Sequence, residues 1–223
     1  IDAKRWNDAE ARLQTISPQQ RARFEGLIAH GRGNSRLAAE AFERALVATP
    51  KVPQLHLHAA HAYLQMKQFE DVIRHTQAAS ALREKAIAQP LLEARGFEGL
   101  HRYSDAYSVL SEACRTFSDA FRPCLELAAL AQRQGLYEKV RGTAKDVLER
   151  NPHREALLAL FQLLYADGDA MPILEQIVAR HPEDPEFLAH LGHAYARQQR
   201  WFAAASLFER ATALGGQYGF EAA

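Results

Sequence analysis

Residues 185–218 read PEFLAHLGHAYARQQRWFAAASLFERATALGGQY, and this stretch decides the fold. Leu188, Leu191, Gly192 and Tyr195 fall at i, i+3, i+4 and i+7, one apolar stripe of an amphipathic helix. The polar Gln198, Gln199 and Arg200 that follow suit a tight turn between helices. Ala204, Phe208 and Ala211 then mark a second helix at i, i+4 and i+7. The small residues let two helices approach closely, and the large ones fill the gap that remains. Just upstream, Pro182-Glu183-Asp184-Pro185 stops one helix and opens the next, with Asp184 as N-cap ahead of a first-turn proline.

The same hairpin recurs along the chain. Repeat starts at Gln19, Pro53, Ile87 and Phe121 lie 34 residues apart. A fixed period of this size marks a stacked array of helical hairpins. The pattern resembles the tetratricopeptide repeat family, whose signature is Leu-Gly, Tyr, Ala, Phe, Ala and Pro at set places. Gly26, Ala38, Phe42, Ala45 and Pro50 match it in 19–52, and Ala60, Tyr63, Phe69 and Ala79 in 53–86. Ala94, Phe97, Tyr103, Ala106, Leu110 and Ala113 match in 87–120, and Ala128, Gly135, Tyr137, Val147 and Pro152 in 121–154.

The resemblance implies an all-α right-handed superhelix, an α-solenoid of stacked antiparallel helix pairs. Residues 155–184 are expected to form a shortened repeat, because Pro182 follows Pro152 by 30 residues and the deficit falls around Asp167-Gly168-Asp169. Residues 185–218 return to the pattern. Trp6, Ala9, Leu13 and Ile16 read as the second helix of a truncated preceding repeat in 1–18, and 219–223 as the start of a further one or a tail. Both ends therefore read as cut from a longer array. The uncapped apolar faces, Leu13 and Ile16 at one end and Leu207 and Phe220 near the other, suggest self-association.

Composition narrows the function classes. Lys plus Arg equals Asp plus Glu at 27 each, so no global charge draws the 223-residue chain to nucleic acid or membrane. No apolar run approaches the ~18 residues that span a bilayer. Cys114 and Cys124, the two cysteines, read as small apolar packing residues, with a disulfide or redox role as the other reading. Ten histidines invite a metal, and His56, His58 and His61 cluster, as do His190 and His193. No carboxylate at a matching spacing completes a site, so they read as surface and groove histidines, with no metal and no cofactor. Gly31-Arg32-Gly33-Asn34-Ser35 reads as a helix-helix turn, since no strand precedes it as a nucleotide-binding loop requires. No motif for nucleophilic, metal-assisted or phosphoryl-transfer chemistry appears, so the chain reads as no enzyme. Phe42, Tyr63, Phe97, Tyr103, Tyr137, Tyr195 and Phe208 occupy packing places, and Trp6 and Trp201 are expected to close the turns before second helices.

The family places function on the face formed by the first helices of the pairs. Carried onto this chain, the inward-facing places include Arg23, His30, His61, Gln65, Arg95, Glu98, Arg122, Gln132, Arg133, His193 and Arg197. Arginine forks match carboxylates and the carbonyls of an extended peptide. The resemblance thus implies a protein-interaction scaffold that takes a peptide or helix, here an acidic or extended polar segment. The Lys and Asn of the family's chaperone-tail clamp are replaced by Arg23 and Leu27, so that specific activity is not implied. Ala, Arg and Gln richness resembles a bacterial protein of cytoplasm or periplasm. Alternative settings are a periplasmic scaffold for polysaccharide export, or the repeat segment of a larger glycosyltransferase or sulfotransferase.

Overall fold

The computed structural model describes residues 13, 16–82, 86–117, 119–150, 152–165 and 167–215. Trp6, Ala9, Tyr218 and Phe220, on which the expectations for the two ends rest, lie outside the described residues. Among the described residues there are twelve α-helices and no strand. In chain order they are α1 (Pro18–Gly31), α2 (Ser35–Ala48), α3 (Pro53–Gln65), α4 (Phe69–Ala81), α5 (Ala88–Gly99), α6 (Tyr103–Thr116), α7 (Arg122–Arg133), α8 (Tyr137–Glu149), α9 (Arg154–Leu164), α10 (Met171–Arg180), α11 (Pro185–Arg197) and α12 (Trp201–Ala213). The chain is an all-α array of helix pairs, divided into two compact units, Ile1–Ala113 and Cys114–Ala223.

Local chemistry sets the helix ends. Asn34 Oδ1 accepts from Leu37 N–H at 3.1 Å to open α2, and Asp184 Oδ1 accepts from Glu186 N–H and Phe187 N–H at 3.0 and 3.4 Å to open α11. Pro18, Pro53 and Pro185 occupy first helical positions, where a missing N–H costs nothing.

The turns within the pairs carry the repeat in their backbone. Gly33, Lys67, His101, Gly135 and Gln199 all take positive φ, between 58° and 76°. Each is followed by an N–H that reaches back five residues: Asn34 to Ala29 O, Gln68 to Tyr63 O, Arg102 to Phe97 O, Leu136 to Ala131 O and Arg200 to Tyr195 O. This is a Schellman close, which satisfies carbonyls that the first helix leaves open. Two of the five residues are glycine; Lys67, His101 and Gln199 hold the left-handed conformation against a Cβ penalty of ~1 kcal/mol. The fifth pair turns differently. A 3-10 turn at Gly168–Ala170 stands there, with Asp167 Oδ1 accepting from Asp169 N–H at 3.1 Å and Arg141 donating to Asp167 Oδ2 at 2.6 Å.

Within each pair a bare backbone faces a ring. A Cβ built on Gly26 would lie 2.5 Å from Phe42, and one on Gly192 3.0 Å from Phe208. Ala38, Phe42 and Ala45 are fully enclosed in the first pair, as are Ala204 and Ala211 in the last. Burying a side chain the size of Phe42 stabilises by ~2–3 kcal/mol. Three readings of core and surface are corrected. Tyr137 is 38% exposed, because α8 leaves it at the solvent side of its first turn. Trp201 is exposed as well, with Phe202 beside it, whereas Leu207 is buried rather than part of an open apolar face.

The cysteines are also corrected. Cys114 and Cys124 form a disulfide, with Cα atoms 4.7 Å apart. The turn between α6 and α7 brings the two residues together, and Arg150 Nη1 donates to Cys114 O at 2.7 Å beside it.

Candidate functional site

The first helices of neighbouring pairs lie side by side within each unit, α3 against α5 and α7 against α9. In the unit ending at Ala113 this brings α1, α3 and α5 residues onto one face. His30 of α1 and His61 of α3 meet edge to face, with ring centroids 4.8 Å apart. His58, one turn before His61, stacks on Phe42 at 5.3 Å and 18°. Burial, then the positive fields of His30, Arg23 and His61, hold His58 below the usual histidine range. Burial, then His30 and Arg95, do the same to His61. Every neighbour whose charge moves these two rings is a basic side chain.

The structure thus gathers Arg23, His30, His61 and Arg95, and adds His58, which the family's register of inward places leaves out. Gln65 is exposed at the end of α3, and Glu98 is half-buried on α5, one turn beyond Arg95. In the second unit Gln132 is committed within the array, its Nε2 donating to Leu163 O at 2.8 Å. Arg197 lies over the Tyr165 ring at 4.9 Å, and His193 meets Phe208 edge to face at 4.8 Å. Burial and then His190 lower the His193 pKa. Arg122 and Arg133 are exposed on α7.

A second polar cluster sits behind this face and ties pairs together. Glu43 Oε1 of α2 accepts from Tyr63 Oη at 3.0 Å, from Arg74 Nη2 at 2.9 Å and from His75 Nε2 at 3.0 Å. His75 is 1% exposed, and its Nδ1 meets His56 Nδ1 at 3.1 Å, while His56 Nε2 reaches Pro50 O at 3.0 Å. Pro50 O and the Glu43 carboxylate can only accept, so all three contacts need three ring protons, one more than two neutral imidazoles carry. Burial and then Arg74 lower the His75 pKa, and a neutral His75 that carries its proton on Nε2 donates to Glu43. Burial and the Glu43 bond push the Tyr63 hydroxyl up to about 12. Glu43 thus takes three donors from within the array, and the cluster is structural. Tyr195 repeats the arrangement by donating to Glu175, 20 residues before it, as Tyr63 does to Glu43.

Among the described residues no group of three or more His, Cys, Asp or Glu side chains converges as a metal site, and no helix is long and apolar enough to cross a membrane.

No protein-family model matches the chain, and no curated protein matches it. Solved structures do. A tetratricopeptide repeat protein from Parabacteroides merdae aligns over 95% of this chain and 86% of its own at 15% identity, with a TM-score of 0.58. MamA of Desulfovibrio magneticus aligns over 90% and 97% at 14% identity, TM-score 0.52. YrrB, described as a TPR protein with an unusual peptide-binding site, aligns over 79% and 93% at 16% identity, TM-score 0.50. With the positive-φ turns and the glycine–phenylalanine packing, these likenesses define the fold as a tetratricopeptide-type array.

Proposed function

We propose that this chain is a non-catalytic protein-interaction scaffold that binds an acidic or extended polar peptide along the first-helix face. The observation that carries the reading is the Arg23, His30, His58, His61 and Arg95 cluster, in which every neighbour whose charge shifts His58 or His61 is a basic side chain. A local positive field on a chain of zero net charge attracts carboxylates selectively. Helix pairs packed on one another offer this face already ordered, so a peptide loses little affinity to ordering the scaffold. Peptide binding by the similarly folded YrrB adds support for the ligand class. Arg122, Arg133, His193 and Arg197 extend the same reading to the first helices of the second unit. The Cys114–Cys124 disulfide favours an oxidising compartment such as a periplasm.

Fluorescence anisotropy with labelled glutamate-rich and lysine-rich peptides tests the reading. The acidic peptide is expected to bind and to weaken as salt rises, and Arg95→Ala or Arg23→Ala to reduce both affinity and its salt dependence. Equal affinity for the two peptides, or binding indifferent to both arginine substitutions, would refute it.

A further inference from the structure

We propose that the outer face of α12 is a docking site for an amphipathic helix of a partner protein, one whose apolar stripe includes a tyrosine that donates to Glu209. This is a surface of a second helix, so it stands independently of the acidic-peptide reading of the first-helix face.

The array itself shows how such a face is covered. Ala39 and Leu46 of α2 are buried in one cluster with Leu55, Ala59 and Ala62 of α3, and the Tyr63 hydroxyl beside them donates to Glu43 at 3.0 Å. In α10, against which α11 lies, Met171 and Val178 are buried and Tyr195 donates to Glu175. The same three places recur in α12. Ala205, Glu209 and Thr212 follow Met171, Glu175 and Val178 by 34 residues each. Glu209 also stands ten residues after the positive-φ Gln199, just as Glu43 stands ten after Gly33. All three are exposed in α12. With Trp201 they fall at i, i+4, i+8 and i+11, one stripe of the helix. Glu209 makes no hydrogen bond or ion pair among the described residues.

Chemistry narrows the occupant. Where α2 begins with Ser35 and Arg36, and the turn before α10 has Asp167 and Gly168, α12 begins with Trp201 and Phe202, the latter 96% exposed. An end of the array that meets only water calls for polar residues at those places. Two adjacent rings mark instead a surface to be covered, by something with more apolar reach than the array's own first helices need. A second copy of this chain does not fit. α12 has no tyrosine, so pairing two such faces sets two Glu209 carboxylates along one seam with no phenol to meet them. At the other end, α1 carries Ala29 where α3 carries Tyr63. Tyr218 misses the spacing too, following Glu209 by nine residues where both covered sites use 20. A partner helix meets each requirement: small or apolar side chains over Ala205 and Thr212, a phenol at Glu209, and larger apolar residues against Trp201 and Phe202.

The probe is the α11 sequence, PEFLAHLGHAYAR, whose own site in the fold is the matching face of α10. It is made as a stapled helix, because a free peptide of that length is only marginally helical, and is labelled with fluorescein. Anisotropy with the full chain should show saturable binding. Ala205→Arg, which sets a long cation in the middle of the exposed stripe, should weaken it by about tenfold or more with an unchanged circular dichroism spectrum. Tyr195→Phe in the peptide should weaken binding to the parent about three- to tenfold and leave binding to Glu209→Ala unchanged, since the acceptor is already gone. Absence of binding, binding that survives Ala205→Arg, or an equal effect of the phenol in both backgrounds overturns the proposal. Two further results would also overturn it by assigning the face to another occupant. One is self-association in sedimentation velocity that Ala205→Arg abolishes; the other is peptide binding that emerges only when residues 216–223 are deleted.

Discussion

Glu43→Ala removes the acceptor at the centre of the cluster joining the first two pairs, and its cost divides unevenly among three donors. Arg74 is 54% exposed and keeps Asp71 at 2.9 Å, so its share is small, at ~0–1 kcal/mol. The half-buried Tyr63 hydroxyl loses a bond to a charged acceptor, a loss on the order of 1 kcal/mol. His75 is enclosed, and its Nε2–H would be left without an acceptor, at ~1–3 kcal/mol. The sum is roughly 2–5 kcal/mol, with His75 the largest share. Urea unfolding followed by far-UV circular dichroism measures the total, and amide exchange of α2, α3 and α4 localises it. Arg74→Ala and Tyr63→Phe should each cost roughly 1 kcal/mol or less. The double variant Glu43→Ala/His75→Leu should recover part of the loss, since no buried donor is stranded. A Glu43→Ala loss below ~1 kcal/mol, or one matched by Arg74→Ala, would refute the assignment of the cost to a stranded histidine. The Glu43 carboxylate also sets an acid limit. Burial alone would raise its pKa, but the bonds from Arg74, Tyr63 and His75 bring it below the usual 4.5. Its contribution is thus present above ~4.5 and is lost as pH falls through the folded value.

Other substitutions test separate parts of the fold. Gly142→Ala, where a Cβ meets nothing within 4 Å on α8, should raise stability by ~1 kcal/mol in the same urea experiment. Gly26→Ala, 2.5 Å from the Phe42 ring, should lower it by ~1–3 kcal/mol, and equal signs for the two would refute the close-approach account. Lys67→Gly relieves a non-glycine residue at φ 58° and should stabilise by ~0.5–1 kcal/mol; a loss would show that the Lys67 side chain contributes more than its backbone costs. Burial raises the Glu93 pKa above its usual 4.5, outweighing the bonds from Gln77 and Gln89. The charged form is therefore penalised above the folded pKa, and the penalty disappears as pH falls to ~4.5. Glu93→Gln should raise the thermal midpoint near pH 8 and leave it unchanged near pH 4; a gain of equal size at both would exclude charge as its cause.

The amino-acid sequence by itself determined the helix pairs, their 34-residue period and the Gly26–Phe42 and Gly192–Phe208 packing places, because periodicity, capping and small-to-large matching act over a few turns of chain. Asp184 was legible as an N-cap for the same reason. The positive φ of Lys67, His101 and Gln199 was not, since no glycine signals it; the demand comes from closing one helix onto the next. Tertiary structure alone decided that Cys114 and Cys124 join, that Gln132 is committed to Leu163 O, and that Glu43 anchors residues 20 to 32 positions away. It also placed His58 with Arg23, His30, His61 and Arg95. Those side chains come from three helices, and only the stacking of pairs brings those helices together.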